Sequence, residues 1–368
     1  MKIAYIACVS RDNLGVQKKI QRQIEHWRQE GHDVQCFFMV PHDAGSSSQY
    51  SLWKRCKVFA IFFDSSNTLA TSRNEFERYA QPDCIYMRED TLPISRFLRF
   101  LFWRKKIILE INSNYDTEGK LDYASSLKAK RNFWINYAIN HFFYHRIAGI
   151  VSVSYELLEL PHFLRCKHKI VIPNTIDIDS VPMQKCHNIT LPIGLVFIGS
   201  PNQSWHGLDK IIQLARKLGD DFLIHLVGPQ EKDIADFNPP SNVIAYGYRT
   251  DYTDILRKCH IAIGTLALHR KKMDEASPLK TREYLACGFP IIIAYEDSSF
   301  KNLPQPPDFL LSVPNTENNI ISSESIERIR IFCLKNRDRV VSHSEIQHLI
   351  DSNIFEKKRI KFMEECVQ

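Results

Sequence analysis

Short apolar runs alternate with amphipathic segments, and the alternation passes through the chain twice. No other feature of these 368 residues constrains the fold as tightly, because strands separated by helix-length segments pair in parallel and need cover on both faces. Lys2 to Val9 reads as a buried strand, Ser10 to Gly15 as a loop, and the next segment as a helix with Val16, Ile20, Ile24 and Trp27 on one face. Gly31 ends that helix, and Val34 to Val40 is a second strand. This βαβ start opens a doubly wound sheet. Further strands are expected at Asp83–Met87, Lys106–Asn112, Ile150–Val153 and Lys169–Ile172, with helices near Thr68–Tyr79 and Leu121–Arg146. A second series begins at Ile193–Gly199, continues through a helix at Leu208–Leu218 and a strand from Phe222, and alternates onward past Ile263. Helices near Glu324–Lys335 and Glu345–Glu364 close the chain. The expectation is an α/β protein with two doubly wound Rossmann-like domains.

Composition bounds what those domains do. Hydrophobic content of 44% and charged content of 24% exclude wholesale disorder. No run of eighteen apolar residues occurs, and the first apolar stretch stops too soon at Arg11-Asp12 for a signal peptide, so a cytoplasmic location is expected. Ten cysteines are scattered without a Cys-x-x-Cys pair, which favours reduced, buried thiols. His141 and His145 share a helical face but lack a third ligand, and no metal is expected. Residues 1–175 hold 25 Lys and Arg against 17 Asp and Glu, whereas the remainder holds 23 against 25. The basicity therefore belongs to the first half. Within it, Pro93 to Lys106 is rich in aromatic and basic residues; it reads either as a helix on an anionic membrane surface or as a core helix with a basic outer edge. No nucleic-acid motif accompanies the charge.

The chemistry concentrates between Asp274 and Ile293. Ser277 reads as an N-cap, Pro278 as the first helical residue and Gly288 followed by Pro290 as a stop. Glu283 shares a helical face with Leu279, Ala286 and Cys287, where a carboxylate needs a partner. Glu275 lies just ahead of the helix. Between the two acids, the backbone amides near Leu279 and Lys280 form a helix N-terminus suited to an anion. Acids for hydroxyls and a cradle for phosphate suit a sugar nucleotide. The residues alone leave a second account open, with Glu275 a solvated loop acid and Glu283 paired to Lys280 or Arg282.

Glu275 and Glu283, with seven residues between them and Tyr284-Leu-Ala-Cys-Gly-Phe-Pro290 trailing, resemble the Glu-x7-Glu signature of retaining GT-B glycosyltransferases, particularly glycosyltransferase family 4. Pro82 to Arg88 and the Pro173-Asn-Thr-Ile-Asp177 junction also resemble family 4 segments, with Thr175 in the place of a glycine. The resemblance implies two Rossmann-like domains facing across a cleft: an acceptor domain over residues 1–172, a nucleotide-sugar domain over 173–343, and a terminal helix in 344–368 crossing back to the first domain. It implies that Glu275 touches the donor sugar and Glu283 the ribose, that Gly15 approaches the donor diphosphate, and that Glu110 and Asn112 contact the acceptor. Relatives carry an arginine and a lysine for the phosphates where this chain has Ser200 and His206. His206, or Arg249, Arg270, Lys271, Lys272 or Lys280, is the expected replacement.

The implied function is a retaining, metal-independent transfer of a sugar from a nucleotide-diphosphate donor, without cofactor, to a glycan or lipid-linked acceptor for cell-surface polysaccharide at the cytoplasmic membrane. Helix-terminal amides and basic side chains replace the metal at the leaving diphosphate. The alternatives are a sugar-nucleotide epimerase of the same fold and a catalytically silent partner protein on the membrane, the latter favoured by Ser200 and His206.

Overall fold

The computed structural model describes residues 1–8, 14–39, 60–63, 69–70, 82–89, 105–114, 146–185, 191–201, 203–320 and 322–368, with isolated positions between 117 and 144. The chain divides into two compact units, residues 1–172 with 352–368 and residues 173–351.

The first unit is built on an eight-stranded sheet. Its strands are β1 (Lys2–Cys8), β2 (Asp33–Met39), β3 (Ala60–Phe63), β4 (Leu69–Ala70), β5 (Cys84–Arg88), β6 (Ile107–Ile111), β7 (Gly149–Ser152) and β8 (Lys169–Val171), ordered β4-β3-β2-β1-β5-β6-β7-β8. All pairs from β2 to β8 are parallel, while β3 and β4 add antiparallel at one edge. Residues 69–70, expected in a helix, form an edge strand instead, because β3 offers them antiparallel ladder partners; the rest of that expected helix lies outside the described residues. Helix α1 (Leu14–Gln29) buries Ile20, Ile24 and Trp27 against the sheet, following the one-face spacing of its sequence. Most of residues 90–104 and 115–145, including the aromatic and basic stretch before Lys105, lies outside the described residues. Phe143 and Tyr144 are core, and Trp134 is exposed.

The second unit carries a six-stranded, all-parallel sheet of β9 (Ile193–Ile198), β10 (Phe222–Val227), β11 (Val243–Ala245), β12 (Ile261–Ile263), β14 (Ile291–Ile293) and β16 (Leu310–Ser312), ordered β11-β10-β9-β12-β14-β16. Two further strands, β13 (Glu275–Ala276) and β15 (Glu296–Asp297), pair only with each other. Helix α2 (Leu208–Leu218) buries Leu208, Ile211, Ile212, Leu214, Ala215 and Leu218, each large side chain stabilising the unit by about 1.5–3 kcal/mol. Helix α3 (Leu279–Ala286) ends at Gly288, whose φ of 92° is open to glycine at little cost. The order of strands reverses between β9 and β12, and ligands in such sheets bind past the carboxyl ends of the strands at the reversal.

Three helices finish the chain: α4 (Ser323–Asn336), α5 (His343–Ile350) and α6 (Ser352–Val367). The single helix expected over 345–364 is broken at Asp351, whose extended backbone pairs with Ile176. The segment that returns to the first unit therefore starts at Ser352, and α5 stays with the second. A reciprocal cap between Ser342 and Glu345 starts α5. In the first unit, α6 is tied to α1 and the sheet by buried polar groups: Trp27 Nε1 donates to Glu356 at 2.8 Å, and Arg359 Nε donates to the same carboxylate at 2.9 Å. Glu356→Leu removes the acceptor of Trp27 Nε1 and of Arg359 Nε in the core and leaves Arg359 only its Nη1 contacts to Tyr86 and Glu110, so urea unfolding is expected to show a loss of about 3–5 kcal/mol. A loss below about 1 kcal/mol would show that α6 is held by packing alone.

Candidate functional site: an unpaired ammonium at the strand reversal

The end of β9 is crowded. Gly199 follows it, and a Cβ built there would lie 2.7 Å from the Phe197 ring and 2.9 Å from Lys280 Nζ, so only glycine leaves that side chain its place. Lys280 reaches in from the first turn of α3. Its residue is partly exposed, but its ammonium nitrogen is out of contact with water and, among the described residues, has no hydrogen-bond or ion-pair partner. It lies 4.4 Å from the Phe197 ring centre. Burial lowers its pKa from 10.5 to about 7.

His206, from the turn before α2, stands edge-on to the same ring at 5.5 Å. Its Nδ1 bonds the Ser200 carbonyl at 3.1 Å; a carbonyl only accepts, so Nδ1 carries the proton and Nε2 is left an acceptor. Burial, helped by the charge of Lys280, lowers the His206 pKa to about 3. In this state the imidazole borders the site and has no second proton to give.

The start of α3 differs by one residue from the sequence expectation. Pro278 is the cap position, in extended conformation, and no side chain bonds the first turn. Ser277 does not cap because its Oγ accepts from the Asn174 backbone N–H at 2.8 Å and from Arg282 Nη2 at 2.7 Å. The first-turn amides, Leu279 among them, thus have no intrahelical acceptor and no side-chain substitute. They point to the same end of the helix as the Lys280 ammonium.

The two glutamates are anchored differently. Glu275 is 1% exposed on β13, and its Oε2 accepts from Lys301 Nζ at 3.0 Å. It is a buried strand residue rather than a solvated loop acid. Glu283 is half-buried on α3 and accepts from the Tyr252 hydroxyl, whose own pKa burial and Glu283 push upward. Arg282, one candidate partner for Glu283, instead grips Asp297 through two hydrogen bonds at 2.6 and 3.1 Å. The sequence offered no signal for Tyr252 or Lys301, which come from distant turns.

The other candidates are placed as follows. Arg249 is exposed on the loop after β11, 5.7 Å from the Tyr246 ring centre. Arg270 is held by Asp209 and Glu317, Lys271 is buried 4.5 Å from the Trp205 ring centre, and Lys272 is exposed in left-handed conformation. Of the donor candidates, the structure places His206 and Lys280 against the same Phe197 ring at the end of β9, with Ser277, Pro278 and Leu279 leading into the helix that carries Lys280. In the first unit, Gly15 is exposed in the opening turn of α1, and the loop before it lies outside the described residues. Glu110 has no exposed surface: Lys19 Nζ donates to it at 2.7 Å, the Tyr86 hydroxyl at 2.6 Å and Arg88 Nη1 at 3.2 Å. Burial alone would raise the Glu110 pKa, but Lys19, Arg359 and Arg88 hold it well below the usual carboxylate range. Asn112 Oδ1 accepts from Lys19 at 3.2 Å, while its Nδ2 is buried with no partner among the described residues. Among the described residues no group of His, Cys, Asp and Glu could hold a metal ion, and no helix is long and apolar enough to cross a membrane. The seven free cysteines recorded among them are all buried.

No family model matches the sequence, and no curated protein matches it. Solved structures do. Sucrose-phosphate synthase from Thermosynechococcus elongatus matches with a TM-score of 0.64 and 13% identity over 99% of both chains. The lipopolysaccharide outer core galactosyltransferase WaaB gives 0.65 and 13%, again over 99% of both chains. The fold is GT-B. HepE of Anabaena, solved in complex with UDP-glucose, matches with a TM-score of 0.63 and 11% identity over 98% of this chain and 99% of its own. Identities this low extend the likeness of the GT-B chain to its architecture and no further.

In this GT-B chain the Lys280 ammonium is a cost to the empty protein. The unfolded chain keeps that proton to about pH 10.5 and the folded chain releases it near 7. Between those values the unfolded state binds more protons, so stability rises with pH. Lys280→Met is expected to raise stability at pH 7 by roughly 1–3 kcal/mol and to flatten that rise, read by chemical unfolding between pH 6.5 and 9.5. A destabilised variant with an unchanged slope would contradict the assignment.

Proposed function

We propose that the chain is a retaining, metal-independent GT-B glycosyltransferase that moves a sugar from a nucleotide-diphosphate donor to an acceptor held by the N-terminal unit. The observation that carries the reading is the unpartnered Lys280 ammonium beside the uncapped start of α3, at the strand reversal of the second sheet. A protein retains a buried, unsatisfied cation at a cost, and an anion that fills the space removes the cost. A diphosphate fits both donors, meeting the ammonium and the first-turn amides of Leu279 and Lys280, with Ser277 and Pro278 setting the entry of the helix. His206 walls the site, and its Nε2 donates only if the anion brings it a second proton. Arg249 and Gly15 remain further candidates for the donor.

The Glu-x7-Glu resemblance supplies the remaining roles. Glu275 positions the donor sugar and faces the positive charge that builds at its anomeric carbon; Glu283, oriented by Tyr252, holds the ribose. Lys280 and the helix terminus stabilise the departing diphosphate, in place of a metal ion. The basic excess of the first half favours a glycan or lipid-linked anionic acceptor and contact with an anionic membrane surface, as in cell-surface polysaccharide synthesis. Asn112, with its unpaired Nδ2, is the better acceptor contact on that unit, and Glu110 acts through the Lys19 and Arg88 side chains that it holds.

The test is a melting-temperature panel with UDP, GDP and ADP and their glucose or mannose conjugates. One nucleotide family is expected to stabilise the protein, by about 2.7 kcal/mol at a hundredfold excess over Kd. Glu283→Ala should lose the effect, and an excess of chelator should leave it unchanged. No shift with any nucleotide would favour the silent-partner reading, and a changed sugar without acceptor would favour the epimerase. Where transfer is seen, the product should keep the donor's anomeric configuration by proton NMR, and Glu275→Gln should lower kcat roughly 100-fold or more. Because anion capture needs the protonated lysine, nucleotide affinity should weaken above pH 7, approaching tenfold per pH unit. Calorimetry at pH 6.5, 7.5 and 8.5 reads this, and Lys280→Met should show no such trend.

A further inference from the structure

Glu275 occupies an awkward position for a carboxylate. It is 1% exposed on a strand of two residues, and the parallel register of β13 with β15 places Glu296 directly beside it. Adjacent like charges on neighbouring strands repel, and burial adds to the cost. The segment is pinned by its backbone, through Glu296 N to Asp274 O at 2.8 Å and Ser298 N to Ala276 O at 3.2 Å, so the two carboxylates cannot drift apart by sliding the strands.

A lysine bridges the two carboxylates. Lys301, in the turn after β15, places Nζ 3.0 Å from Glu275 Oε2 and 3.0 Å from Glu296 Oε2. Phe300, buried against Phe309, fixes the backbone from which Lys301 departs. Partial burial would lower the Lys301 pKa, but its bonds to Glu296 and Glu275 hold it above lysine's ordinary value. Lys301 keeps a third of its side chain in water.

We propose that Lys301 is a positioning residue for sugar transfer: by bridging Glu275 and Glu296 it fixes which way the Glu275 carboxylate faces the donor sugar. The inference rests on the glycosyltransferase reading, because it matters only if Glu275 meets the sugar. Its consequence is separable from nucleotide binding. The diphosphate site draws on Lys280 and the start of α3, whereas the Lys301 ammonium is placed on Glu275 and Glu296, so a defect at Lys301 should fall on turnover of the sugar rather than on affinity for the nucleotide.

The experiment compares the full chain, Lys301→Met, Lys301→Arg and Glu275→Gln. Hydrolysis of UDP-glucose, GDP-mannose and ADP-glucose into water is followed by release of the nucleoside diphosphate, alongside Kd for UDP, GDP and ADP and the melting temperature. Lys301→Met is expected to lower kcat roughly 100-fold, the scale of a small misplacement of a reacting group, while Kd for the nucleotide changes less than twofold. Lys301→Arg should recover to within about tenfold of the parent, since a guanidinium still spans two carboxylates. Lys301→Met at parental kcat, with Glu275→Gln inactive, would overturn the inference and leave the glycosyltransferase reading standing. Loss of nucleotide affinity together with kcat in Lys301→Met would also overturn it, by showing a general structural defect. A parent that binds and hydrolyses none of the three donors would defeat the reading and the inference with it.

Discussion

The second unit depends on one buried ion pair. Arg282 and Asp297 have no solvent contact, and a guanidinium in that position must find partners for all its donors. Four hydrogen bonds from it draw four pieces of chain together: its own helix α3, Asp297 on β15, the Ser277 hydroxyl ahead of α3, and the Asn174 carbonyl at 2.7 Å just past the end of the first unit's sequence. Asn174 returns the contact by donating its backbone N–H to Ser277. A planar fork with fixed angles can meet these acceptors in one arrangement only. The direction in which α3 begins, and hence the relation between Glu275 and Glu283, follows from that fork.

Two residues away, Lys280 is treated in the opposite way. Arg282 makes four hydrogen bonds, whereas Lys280 is buried against Phe197 with no partner among the described residues. Both are cations on the same short helix, so the difference does not come from composition or from the class of element. It comes from the direction each faces. Arg282 faces the packed side, toward β15; Lys280 faces the carboxyl end of β9, where the strand order reverses and a parallel sheet leaves a crevice.

Much of this was legible in the sequence, for physical reasons that also mark where reading stops. Apolar runs of strand length and the one-face spacing of Ile20, Ile24 and Trp27 report burial directly, so the doubly wound sheets and α1 could be read. Gly288 could be read as a stop because few other residues accept its backbone angle. Ser277 was misread by one position, since its hydroxyl accepts from the Asn174 backbone, 103 residues earlier in sequence, and from the Arg282 guanidinium instead of from a first-turn amide of α3. The break at Asp351 was hidden because the residues on both sides of it continue a helical pattern. Tyr252 and Lys301 left no trace, since a hydroxyl or ammonium that reaches a carboxylate across the fold has no local signature. The two glutamates were found by spacing and resemblance, but their protein partners were not.

The account stands on what fills the space beside Lys280, and a crystal structure with UDP bound tests that most directly. The expected result is a phosphate oxygen within about 3 Å of Lys280 Nζ and of the first-turn amides of α3, with the ribose hydroxyls on Glu283. A nucleotide bound elsewhere on the second unit, with Lys280 still unpaired, would contradict the account.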